Sequence, residues 1–380
     1  MEANSRFSKF VPERLIEARE VTGYTLTDLA ELLDVSHQAI SKYEKGKATP
    51  SFEILEKISS ILSVPVNYFY KPMEAPSDSV IYFRSKSNST VRSKKVHANK
   101  LNRVKEIHKY TEQFIEYPSL NIPRLITREN YFPTDFSLID EMAIEVRKQW
   151  GLGNGPISNV TLLLEKMGAI IARASFSNYS IDACSSWHNM ERPYILLSSD
   201  KTASRSRFDI AHELAHLVLH SKIKPNEFNK RENYSRIEKE AHRFAGSFLL
   251  PSPSFCSEIV SSSIEHFIAL KKRWKVSIAA MSYRAKSLGI LTDDQYIYMR
   301  KKMAKNNWLT KEPLDDELTF EDPVLLKQAF EALVENKIII RQDIVTEIAL
   351  PREEIEAFAN LDNGYLIQNE SAKVIPFKFK

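Results

Sequence analysis

The run SRFDIAHELAHLVLH narrows the folds open to this chain more than any other feature of its sequence. His212 and His216 stand four apart, so a helix places both on one face, where they can hold a single metal ion. Glu213 follows the first histidine and is displaced toward the open side of such an ion, where it can take a proton from a water. Leu214 and Ala215 are uncharged, as a helix buried beneath a metal site demands. Four of the nine histidines, His212, His216, His220 and His242, fall within 31 residues of one another.

A catalytic zinc needs a third protein ligand and a free position. Downstream, RIEKEAHRFAGSFLLP reads as a helix with Ile237, Ala241, Phe244 and Phe248 on one face. Glu238 and Glu240 both flank that face, about 80° from its centre, so periodicity leaves the two as alternative ligands. His242 shares the side of Glu238, as a contact behind a ligand or an alternate ligand. His220 lies two turns beyond His212 and is expected to cap the helix end rather than reach the metal. Two imidazoles and a carboxylate suit zinc, with manganese or iron open to the same donors. Ahead of the histidines, GAIIARASF, IDACSSWHN and RPYILLSS read as strands. The last is close enough to the helix to line a substrate cleft, where an edge strand would bind an extended peptide by backbone pairing.

From about Asn154 to Leu291 the chain is similar to the ImmA/IrrE family of zinc metallopeptidases, through RSRFDIAHELAHLVLH and IEKEAHRFAGSFLLP. The resemblance implies a zincin-like α+β domain with Zn2+ held by His212, His216 and Glu238, the family's acidic ligand mapping to Glu238. Glu213 would act as general base and then as proton donor while the metal polarises the scissile carbonyl. His242 stands where the family usually carries Asn or Asp. Such proteases cleave a transcriptional repressor and release stress-response or mobile-element genes. The expected partner is therefore a protein substrate, a helix-turn-helix repressor. The competing reading is a repressor whose zincin-like domain senses a metal or signal without proteolysis.

The amino-terminal run TLTDLAELLDVSHQAISKYEKGKATPSFEILEKISSIL holds two short amphipathic helices about a tight turn. Leu26, Leu29, Ala30 and Leu33 form one buried stripe, and Thr25 with Asp28 forms a capping box ahead of it. Asp34-Val35-Ser36 breaks that helix, and Ser36 is placed to cap the next. In the second helix Ala39, Ile40 and Tyr43 face inward, whereas His37, Gln38, Ser41 and Lys42 face out; Gly46 ends it. Ile54, Leu55, Ile58 and Leu62 complete the bundle. The run VSHQAISKYEKGKATPS resembles the lambda-repressor-like (XRE) helix-turn-helix family, whose second helix offers its early residues to base edges in the major groove. That resemblance puts His37, Gln38 and Lys42 against bases, Gln38 suiting an adenine, with Ser36, Lys45 and Lys47 on the backbone of an operator DNA.

Charge sharpens the organisation. The chain is net +4, yet Arg84 to Lys109 alone carries nine lysines and arginines against one acid. Phe10 to Tyr70 carries six against nine acids, so attraction to phosphate rests on the cluster Lys42, Lys45 and Lys47. With 380 residues there is room for several cores. The expected architecture is multi-domain, α and α+β: a helix-turn-helix bundle over 1–70, a basic linker with a helix over 71–125, a zincin-like domain over 126–291 and a helical region over 292–380. The linker reads equally as a solvated segment or as one lying along phosphates.

LKKRWKVSIAAMSYRAKSLGIL repeats the Val-Ser turn of the first domain at Val276-Ser277, but Ile278 and Ala279 replace the polar pair, which suits packing. The tail is a candidate dimer surface or docking module, and KVIPFKF at its end is strand-like. Two cysteines, Cys184 and Cys256, are too few for a disulfide framework and read as small buried residues. No apolar run approaches the roughly 18 residues of a membrane span, so a cytoplasmic protein with no membrane partner is expected.

Overall fold

Apolar runs bounded by turns build the central sheet. The computed structural model describes residues 9–73, 80–85, 90–175, 181–187, 192–228 and 230–367, and KVIPFKF lies outside them. Four strands, β1 (Ile81–Ser85), β2 (Ile170–Ala174), β3 (Ile181–Trp187) and β4 (Pro193–Ser198), form one sheet in the order β1-β3-β4-β2. β3 pairs antiparallel with both β1 and β4, and β2 runs parallel to β4. Every residue of β2 and β4 is buried, which explains why both read as near-continuous apolar runs rather than alternating ones.

The strand RPYILLSS is therefore interior, held between β3 and β2, and is not the edge expected to receive a peptide. The edges are β1 and β2, and β1 comes from the segment read as a basic linker. The linker expectation needs correction for a physical reason. Its helix, Val91–Thr111, buries Val96, Leu101, Val104 and Ile107 on one stripe, and His97, Arg103 and His108 are buried with them. Basic composition hid an ordinary amphipathic face.

The chain divides into two units. The larger contains the sheet and runs to Leu325. Its histidine-bearing helix, Ala203–Ala215, packs across β3 and β4, and an opposing helix, Arg231–Leu249, packs on that helix and on helix Phe136–Gln149. Phe208, Leu214, Phe244 and Phe248 join the same apolar core. The Val-Ser turn caps helix Ile278–Ser287 through the Ser277 hydroxyl, and Ile278 is fully buried, as its apolar replacement requires. Cys184 is buried on β3 and Cys256 half-buried.

The smaller unit joins the amino-terminal helices, residues 109–115 and the chain from Leu326 onward. Helices Pro12–Thr22, Leu26–Leu33, His37–Glu44 and Phe52–Leu62 bury Leu15, Leu29, Ile40, Leu55 and Ile58 against one another. Thr25 and Asp28 close the capping box, and Ser36 and Ser51 cap the two following helices. Arg19 grips Glu44 through both oxygens, at 2.6 and 3.1 Å, tying the first helix to the third. The carboxyl-terminal helices Leu325–Glu335, Arg341–Ile348 and Arg352–Phe358 follow the expected helical tail. In this unit Asn67 and Lys71 donate to the carbonyls of Thr346 and Ile348.

Candidate metal centre and nucleic-acid interface

Helical spacing alone brings the His212 and His216 rings together, with their Nε2 atoms 3.2 Å apart. The opposing helix then supplies the carboxylate. Glu238 Oε2 lies 3.2 Å from His212 Nε2, and its Oε1 lies 3.4 Å from His216 Nε2. Within 4.8 Å of one another, the three residues offer one ligand atom each. Glu238 Oε1 is buried without a hydrogen-bond partner among the described residues. Two imidazole nitrogens facing each other beside such a carboxylate form a donor set that suits a divalent cation, zinc first among them.

Burial drives the electrostatics. The His212 imidazole is pushed down to about 3, by burial first and then by the nearby Arg84 cation. Burial pushes the Glu238 carboxyl up, but the His212 and His216 ring nitrogens together outweigh it and hold the group well below its ordinary value. The His212 imidazole thus favours the neutral state and the Glu238 carboxyl the anionic one, as metal ligands must.

Glu213 is fully buried one residue beyond His212. Burial pushes its carboxyl up to about 7, against the lowering influence of His216 and the Ser185 hydroxyl. Ser185, on β3, donates to Glu213 Oε2, whereas Oε1 has no hydrogen-bond partner among the described residues. The carboxylate is thus anchored by one oxygen and open at the other.

Glu238 and Glu240, inseparable by periodicity, face different groups. Glu240 sits at 3.2 Å from His220 Nε2 and accepts from the Tyr131 hydroxyl and the Thr134 amide, each at 2.8 Å, and from Arg236 at 3.2 Å. His220 in turn places Nδ1 3.1 Å from His216 Nδ1. It is buried against His216 instead of capping an exposed end, because the chain widens into a π-helical turn over His216–His220. His242 stays outside the triad, packed between the Phe208 and Tyr283 rings at 4.9 and 5.1 Å.

Sequence reasoning missed Tyr82 and Arg84 of β1. Tyr82 stacks on His216 at 4.7 Å between ring centroids and donates to the His220 carbonyl at 2.5 Å. Arg84 pairs with Asp209, one turn ahead of His212, at 2.5 Å. The alternation of Tyr82 and Arg84 in IYFRS was the available signal, five residues long in a basic stretch.

In the smaller unit Ser36, His37, Gln38, Lys42, Lys45 and Lys47 are all exposed, and Ile40 turns inward with no exposure. The Ser36 hydroxyl accepts from the Ala39 amide and so fixes the start of this helix.

Comparison with known proteins agrees at both ends. Residues 15–69 match the family model described as Helix-turn-helix, and residues 164–286 match that described as IrrE N-terminal-like domain. A stretch of 66 residues is 38% identical to an SPbeta prophage-derived uncharacterized HTH-type transcriptional regulator, YonR, of Bacillus subtilis, covering 17% of this chain and 61% of that protein. A further 38% identity over 68 residues, 18% of this chain and 48% of the relative, links it to an uncharacterized HTH-type transcriptional regulator of Sinorhizobium medicae. The HTH-type transcriptional regulator ImmR of Bacillus subtilis is 36% identical over 56 residues, 15% of this chain and 44% of its own length. The chain thus spans about half the length of these curated relatives. No helix among the described residues is long and apolar enough to cross a membrane. The chain therefore joins an XRE-type helix-turn-helix domain at its amino terminus to an IrrE-like peptidase-family domain around the histidine-carboxylate triad.

Proposed function

We propose that this protein is a zinc-dependent endopeptidase, coupled to DNA through its helix-turn-helix, that cleaves a transcriptional repressor or related regulator and so controls stress-response or mobile-element genes. The observation that carries the reading is the meeting of His212, His216 and Glu238 beside a buried Glu213 held by one oxygen. A zinc ion on these three ligands would supply Lewis acidity, polarising a scissile carbonyl and lowering the pKa of a water to about 7. Glu213 would take the proton of the attacking water at its open Oε1 and return it to the departing amine. Ser185 fixes the other oxygen, so the carboxylate keeps one orientation through both transfers. The similarity to HTH-type transcriptional regulators supports a role at an operator, which His37, Gln38 and Lys42 would read while Ser36, Lys45 and Lys47 hold the backbone.

The test combines metal content with cleavage. Purified wild type should carry about one zinc per chain and cut a helix-turn-helix repressor encoded beside its own gene. Glu213→Gln should keep the zinc and lose cleavage by a factor of 10² or more. Undiminished cleavage by that variant would sink the assignment. Zinc-loaded wild type that leaves neighbouring regulators intact would favour a metal or signal sensor instead.

A further inference from the structure

Beside the triad, the larger unit opens a cleft of about 870 Å³. Its lining is unbalanced: six lysines and arginines stand against the three carboxylates of Asp182, Asp209 and Glu238. Glu238 belongs to the triad. The other two acids are already engaged, Asp182 by Lys201 at 2.6 Å and Asp209 by Arg84 at 2.5 Å. Arg243 is paired with Asp140 behind the wall. Among the described residues no carboxylate pairs with Arg205, Lys239 or Arg300, the remaining three. Arg205 donates to the Leu309 carbonyl and Arg300 lies 3.8 Å from Met303 Sδ, contacts with neutral acceptors, although Arg205 also acts on Asp209 from beyond ion-pair distance. Phe208, Tyr283 and Tyr296 supply apolar wall between them.

From this excess we infer that the polypeptide segment taken into the cleft is acidic, with Asp or Glu flanking an apolar residue. The inference rests on the peptidase reading and names the substrate chemistry for it. A concave site lined by one sign of charge focuses its field outward, draws opposite charge and rejects like charge. Any divalent cation on the triad adds to the same sign. A helix-turn-helix domain can carry such charge: that of this chain holds nine acids against six bases between Phe10 and Tyr70. Arg205, Lys239 and Arg300 are the specificity-determining residues of this arrangement.

The experiment uses the full chain loaded with zinc and three fluorescence-quenched peptides that share an apolar core and differ only in flanking Asp, Gln or Lys. The Asp peptide should be cleaved with kcat/KM about tenfold above the Gln peptide, and the Lys peptide below both. Anisotropy titrations of Glu213→Gln should rank binding in the same order. The advantage should shrink in Lys239→Gln and Arg300→Gln, two partly or fully exposed positions, and in 0.5 M salt. Equal kcat/KM and equal binding across the three peptides overturn the inference, as does displacement of the Asp peptide by a ten-base oligonucleotide at the peptide's own concentration. If none of the peptides is cut, the binding ranks still decide the cleft's preference, and the loss falls on the peptidase reading instead.

Discussion

The Nδ1 atoms of His216 and His220 lie 3.1 Å apart inside the larger unit, and His220 Nε2 lies 3.2 Å from Glu240. With His216 Nε2 turned to the triad, its Nδ1–H can only donate to His220, whose proton then sits on Nε2 and is donated to Glu240. Tautomer and ring orientation of a metal-facing histidine are thereby set by a buried acid two side chains away. His212 has no such support, since its Nδ1 is without a hydrogen-bond partner among the described residues. His220→Phe should lower zinc affinity about 10- to 100-fold, read by titration against a competing chelator. Glu240 keeps Tyr131, Thr134 and Arg236, so circular dichroism should show the fold retained. Unchanged affinity in a folded variant would reduce His220 to packing.

What could be read ahead of the structure follows the range of the interactions. The Thr25–Asp28 box, the Ser36 cap and the His212–His216 pair are made within four residues, and each is visible as a string. The strand order is not, because β1 meets β3 across about a hundred residues and leaves no local mark on either. Glu238 and Glu240 sit symmetrically about their helix's apolar face, so only the opposing helix distinguishes them. The role of His220 depends on a π-helical turn, and a regular 3.6-residue projection cannot anticipate one.

A second buried charge cluster bears on stability rather than chemistry. Lys271 Nζ lies 3.0 Å from Glu312 and 2.6 Å from Asp315, with all three side chains essentially without exposure. Glu312 also accepts from the Ile278 and Ala279 amides and so holds the start of the helix after the Val-Ser turn. Lys271→Met would strand two buried carboxylates, at a cost of about 3–5 kcal/mol. Calorimetry should show the larger unit melting lower by on the order of 10 °C. Adding Glu312→Gln and Asp315→Asn should recover part of that loss, because the stranded charges are then gone. A shift of a degree or less would mean the cluster is not buried in solution.

Glu165 makes the pH dependence of the larger unit predictable in sign. Burial pushes its carboxyl up from 4.5 to about 7, partly offset by the Leu325 and Val324 amides it accepts. A raised carboxyl pKa means the folded chain holds a proton that the unfolded chain releases between those two values. Stability from this group is therefore greatest at low pH, falls as pH rises through the window from about 4.5 to 7, and is flat above it. Glu165→Gln lacks the titration but keeps an acceptor for Leu325. Relative to wild type it should gain stability between pH 5 and pH 8, by up to about 3 kcal/mol in urea titrations. An equal difference at both pH values would contradict the assignment.

At the other end of the chain, Gln38 and Lys42 are exposed on one helix but should fail in different ways. A glutamine set against an adenine edge reads sequence, so Gln38→Ala should cost about 1–3 kcal/mol at the operator and relax the preference at one base pair. Lys42, set against a base edge by the same resemblance, also carries charge. Lys42→Ala should weaken operator binding more than binding to random DNA and should also reduce the slope of log K against log salt by about 1. The domain is net acidic apart from its reading helix, so loss of one cation there should be felt more than in a uniformly basic reader. Footprinting and salt titrations of both variants separate these effects. A protected operator that survives the double substitution unchanged would remove this helix from base recognition.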